Sequence, residues 1–125
     1  MLLFNLLTFY ACSSNLQGEW NGTCSFEDQN NEQEMNVTTK IQRDNGYSLE
    51  GSIWLQHWDD FEFEGDLSGD HNGKYVLLRS SIESDFGPYQ FKIEAEKVGQ
   101  DLEGDCLVQS PDSVGSLVGE IYLSK

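Results

Sequence analysis

Basic residues are scarce. Lys and Arg total 7 against 22 Asp and Glu, a formal net charge of −15 over 125 residues. Affinity for nucleic acid comes mainly from Lys and Arg on phosphate, so that class of partner is excluded. Binding of anionic lipid through the whole surface is excluded on the same ground. The balance leaves cationic partners, divalent metal or a solvated acidic surface. Histidine is also rare, with only His57 and His71, both in expected loops. The stretch His57-Trp58-Asp59-Asp60 could lend carboxylates to a metal, but it reads as a solvated loop, and no metal is assigned. A calcium loop begun at Ser68 would need Glu at its twelfth position, where the chain has Arg79. Nucleophile elbow, phosphate loop and paired-cysteine zinc spacing are all missing. Glu62 and Glu64 share one strand face, which a solvated wall explains. With no acid, base and nucleophile converging, the chain is read as non-enzymatic and without cofactor.

What the chain has is alternation. In Gly18–Phe26 the even positions Trp20, Gly22, Cys24 and Phe26 are non-polar, and the odd positions are polar. That is a strand with one dry face and one wet face. Further strands are expected at 34–43, 47–55, 61–68, 74–81, 90–98, 101–109 and 115–124. In the fifth, Tyr75 and Leu77 compete with Val76 and Leu78 for the inner face. Tight turns fall at Asp44–Gly46, Gly69–Gly73 and Gly99–Gln100, and the longest loop at 82–89. One plan repeats, as in Leu49-Glu50-Gly51-Ser52-Ile53 and Leu102-Glu103-Gly104-Asp105-Cys106. Gly22, Gly51, Gly65, Gly104 and Gly119 all hold inward positions, as a small coiled barrel needs in order to close. The expected fold is all-β, a single eight-stranded antiparallel up-and-down β-barrel, with a two-sheet β-sandwich as the alternative. Trp20, Phe26, Phe61, Phe63 and Phe91 are its expected lumen side chains.

The first ten residues are apolar apart from Asn5 and Thr8, and no charge precedes Glu19. The run closes on Phe9-Tyr10-Ala11-Cys12 and is too short to span a bilayer. It resembles a bacterial lipoprotein signal. The resemblance implies a signal segment at 1–11, a lipidated Cys12 with a tether to residue 17, a domain at 18–125, and a place in the cell envelope. An ordinary signal cleaved near Ala11, or a first strand, are the alternatives. If Cys12 carries lipid, the two remaining cysteines, Cys24 and Cys106, can pair. Each follows a glycine by two residues, so both point inward, and an exported chain meets an oxidising compartment. In a regular barrel their strands lie two spacings apart, about 9 to 10 Å. A disulfide usually needs Cα atoms within about 7 Å, so a bridge requires a squashed barrel or a skewed register. Asn21-Gly22-Thr23 and Asn36-Val37-Thr38 fit glycosylation acceptors, relevant only to a eukaryotic chain.

Gly18-Glu19-Trp20 resembles the opening Gly-x-Trp of calycin-like barrels, the lipocalin, avidin and fatty-acid-binding group. The resemblance is one of architecture. It implies that Trp20 closes the barrel floor and that the lumen holds a small apolar ligand. The antiparallel order also sorts the connections. Arg43, Lys74, Lys97 and Lys125 fall at the tethered end, where they would face lipid headgroups. The far loops carry Asp59, Asp60, Asp85 and other carboxylates, no Lys or Arg, and the aromatics Trp58, Phe86 and Tyr89 beside His57. Such a rim suits a cationic protein. Three functions are carried forward: an apolar ligand in the lumen, a cationic protein on the rim, or a structural envelope component without a ligand.

Overall fold

The computed structural model describes residues 15–28, 31–57, 62–84, 87–111 and 116–125. Eight strands follow in chain order: β1 (Gly18–Asp28), β2 (Asn31–Asp44), β3 (Ser48–His57), β4 (Glu62–His71), β5 (Tyr75–Ser84), β6 (Gly87–Val98), β7 (Asp101–Gln109) and β8 (Ser116–Ser124). Each pairs antiparallel with the next, and β8 pairs with β1, closing the barrel. This is the expected up-and-down barrel and not the sandwich. The apolar first segment and Cys12 lie outside the described residues.

Several strands run further than the alternation suggested. The expected long loop at 82–89 is largely hairpin: Ile82 pairs with Tyr89 and Ser84 with Gly87. Ile82 stays in phase with Val76, Leu78 and Ser80, so burying it carries the ladder onward. That phase also settles β5, whose even residues face inward. Likewise β3 continues through Gln56 and His57, and β4 continues to His71. His71 is therefore a strand residue and buried, not a loop histidine.

Glycine lets the wall curl. A Cβ on Gly22 would overlap the Tyr122 carbonyl oxygen, and one on Gly51 the Lys40 carbonyl oxygen. At those points the neighbouring backbone occupies the space of a side chain. The same curling joins Cys24 and Cys106, which form a disulfide with their Cα atoms 6.2 Å apart. They flank β8, where Cys24 faces Ile121 and Cys106 faces Gly119. Gly119 puts no side chain in the way, and the Ser25 carbonyl and the Phe26 ring already fill its Cβ position. The wall is folded there, which removes the spacing objection.

Candidate functional site

The floor end is sealed by a buried polar latch. Asp44 ends β2 and His71 ends β4, each just before an Asn-Gly turn. The two turns are built alike. Asn45 Oδ1 accepts the Tyr47 and Ser48 amides, and Asn72 Oδ1 accepts those of Lys74 and Tyr75. The register of β2, β3 and β4 then brings Asp44 and His71 together inside, with Nε2 2.7 Å from Oδ1. Gly73 N–H donates to His71 Nδ1, so the ring proton sits on Nε2 and is donated to Asp44. Asp44 also accepts the Leu16 amide at 2.7 Å and the Gly46 amide at 2.9 Å. Burial pushes the Asp44 carboxyl up, but the Leu16 and Gly46 amides and His71 outweigh it and hold the group below the usual carboxylate range. Leu16 is buried as a plug, and its carbonyl accepts Trp20 Nε1–H at 2.9 Å. Trp20 thus closes the floor, with Lys125 Nζ 5.5 Å from its ring centroid. Both latch side chains are essentially closed to solvent, at 0% and 1% exposure, so the pair is structural and reaches no substrate.

Above the floor the interior is filled. Cys24, Leu78, Ile93, Leu102, Cys106 and Leu123 have 0% exposure, and Phe91 and Val37 have 2% or less, so the interior around them is closely packed. Packing loosens toward the mouth. There Met35, Phe63, Tyr89 and Val108 are only partly buried against the core.

One wall is open at that level. The β4–β5 ladder runs only from Leu67↔Ser80 to His71↔Val76, although β4 begins at Glu62 and β5 ends at Ser84. Where the ladder stops, Ser80 Oγ donates to the Asp66 carbonyl at 2.7 Å. Gly65 makes this clamp possible, since a Cβ there would stand 2.8 Å from Ser80 Oγ. Beyond the clamp the ladder has no further rungs among the described residues, and a cleft of about 760 Å³ lies along this stretch of the wall. Its floor includes the inward residues Ile53, Phe63 and Ile82, and its outer side carries Trp54, Lys40, Glu62, Glu64, Asp66 and Glu83.

The expected site residues separate into two groups. Trp20, Phe26 and Phe91 are buried in the interior and Phe63 lines the cleft. Phe61 lies outside the described residues, as do Trp58, Asp59, Asp60, Asp85 and Phe86 of the expected rim. His57 closes β3, while Tyr89 packs against the core near the mouth instead of standing free on a loop. The alternation did not single out Trp54. Its signal was an aromatic on the wet phase of β3, between the dry residues Ile53 and Leu55. Among the described residues, no group of three or more His, Cys, Asp and Glu is placed to hold a metal ion.

No protein-family model matches the sequence, and no curated protein matches it. A solved structure, EF1p2_mFAP2b bound to DFHBI, is similar in fold, with a TM-score of 0.71 over 88% of this chain and 93% of that one. Sequence identity is 12%, so the likeness is one of fold alone, that of a closed eight-stranded antiparallel β-barrel.

Proposed function

We propose that this chain is a non-enzymatic binding barrel that takes a small apolar ligand into the mouth half of its interior through the β4–β5 seam. The observation that carries this reading is the cleft at the end of the β4–β5 ladder, lined by the partly buried Phe63 and Trp54 with the buried Ile53 and Ile82 directly behind them. Its volume falls in the range of about 300 to 1,000 Å³ usual for small-molecule sites. Covering such apolar surface contributes about 25 cal/mol per Å². The packed lower half confines the ligand to the mouth. The similar barrel is bound to DFHBI, which supports a ligand site in this architecture.

Export and lipidation at Cys12 belong to the same proposal. The Cys24–Cys106 bridge suits an oxidising compartment. Residues 15–17 reach the barrel at its floor, and Tyr47, Tyr75 and Tyr122 are exposed toward that end, with Arg43, Lys74, Lys97 and Lys125 beside them. Tyrosines and cations together suit a headgroup layer.

The test is a titration of the whole protein with Nile red, a neutral apolar dye. Saturable binding with blue-shifted emission, lost in Phe63→Asp, is the expected result. No binding, or binding unchanged in that variant, overturns the seam site. For the anchor, labelled palmitate should enter the wild-type chain and not Cys12→Ser. Equal labelling of both chains, or of neither, removes the anchor.

A further inference from the structure

The cleft carries one sign of charge at its lip. Glu62, Glu64 and Asp66 of β4 and Glu83 of β5 are exposed around it, against the single ammonium of Lys40. Four carboxylates elsewhere on the wall are matched with cations. Arg43 pairs with Glu50 at 3.5 Å, Arg79 with Asp70 at 3.2 Å, Lys92 with Glu94 at 3.0 Å and Lys74 with Glu96 at 3.4 Å. Among the described residues, the four cleft carboxylates form no such pair. Like charges at alternate positions of one strand repel, and a cation from outside relieves that cost.

Trp54 supplies the second element. It faces outward and is half-buried, with Thr38 and Glu64 as its cross-strand neighbours. An indole beside a carboxylate is a receptor for an ammonium, through the ring face on one side and the charge on the other. Just behind lie Phe63 and Ile82, on the inward phase of β4 and β5, where the ladder has ended. Charge outside and apolar surface inside are thus separated by one strand thickness.

We infer that the cleft takes a small organic cation, an amine carried on an aromatic or alkyl body. The ammonium sits among Glu62, Glu64 and Asp66 against Trp54, and the body passes between Phe63 and Ile82. This rests on the seam being the ligand's entry, and it adds the ligand's charge class. A bare metal ion would make no use of Trp54 or of the apolar floor.

The test uses three probes of one shape on the whole protein: 1-naphthylmethylamine, its neutral N-acetyl amide, and 1-naphthylacetate. Calorimetry gives the affinities, and amide shifts in NMR give the location. The amine should bind about tenfold tighter than the amide, as expected from a few solvent-exposed charge contacts. The acetate should bind weakest. Raising salt should narrow the gap. Glu62→Gln with Glu64→Gln and Asp66→Asn should abolish the preference and leave amide affinity in place. Trp54→Leu should weaken the amine more than the amide. All these positions are on the wet face, and a folded NMR spectrum of each variant checks the barrel. Equal affinity for amine and amide at the seam overturns the cation and keeps the ligand site. Shifts confined to the mouth interior, away from Trp54 and Glu64, do the same. No binding of any probe overturns both.

Discussion

Asp44 shows how one side chain can hold two parts of the chain. Its carboxylate takes three hydrogen bonds from Leu16, Gly46 and His71 in a site closed to water. Asn in its place keeps one acceptor oxygen, so Asp44→Asn should cost about 1.5 to 3 kcal/mol, the value of a hydrogen bond to a charged group. The sign with pH follows from the lowered carboxyl. A group that binds its proton more weakly when folded adds stability above its ordinary value of 3.8, and this is lost as pH falls through the lower folded value. The stability gap between wild type and Asp44→Asn, measured by urea unfolding, should hold its full width from about pH 5 upward and close as pH falls below the usual carboxylate range. A gap constant down to pH 2.5 would remove the charge from the latch. Thr39 is the opposite case. It is fully buried between Trp20 and Ile53 in register, and its hydroxyl has no hydrogen-bond partner. Valine has nearly the same shape without the hydroxyl, so Thr39→Val should raise stability by about 1 kcal/mol. The readout is a higher urea midpoint at unchanged slope.

At the scale of strands, the period-2 pattern was enough to find all eight elements, because each buries one face and wets the other. It was weaker at strand ends. His71 shows why. It lies in phase with Phe63, Leu67 and Gly69, so parity alone sends it inward, but a buried imidazole makes sense only once a partner is in place. That partner, Asp44, is brought in by the register of β2 on β3 and of β3 on β4, which no local pattern contains. The cleft was illegible for a related reason. It exists because the β4–β5 ladder stops at Leu67↔Ser80, a property of the pair and not of either strand. The inward glycines were legible, and they act in a different way from the turn glycines. A Cβ at Gly51 meets the Lys40 carbonyl, backbone that cannot step aside, whereas one at Gly46 meets nothing within 4 Å but has a φ of 103°. Gly51→Ala should therefore cost more than about 2 kcal/mol through overpacking. Gly46→Ala should cost about 1 kcal/mol through backbone strain alone. Parallel thermal or urea unfolding of the two variants separates these mechanisms, and equal costs would refute the close approach.

For the whole molecule, closure is the property at stake. Two of the eight ladders are short: β4–β5, and β1–β8, which spans only Asn21↔Ser124 to Ser25↔Glu120. The first is held at its end by one hydroxyl, Ser80, and gives the barrel its opening. The second is backed by the disulfide, which ties β1 to β7 across β8 and closes a span of 82 residues. A bridge of that span stabilises by about 2 to 5 kcal/mol, mainly by restricting the unfolded chain. Cys24→Ala with Cys106→Ala should lower the unfolding free energy by that amount. Its native-state effect should be local. Amide exchange should quicken first along β1 and β8, while the long β2–β3 ladder, Met35↔His57 to Asp44↔Leu49, keeps its protection relative to global unfolding. If protection falls evenly around the barrel, the bridge acts only on the unfolded state and the β1–β8 closure stands without it. If β1 and β8 open alone, the molecule has one seam locked by a covalent bond and one left unlaced, the seam proposed above as the ligand's entry.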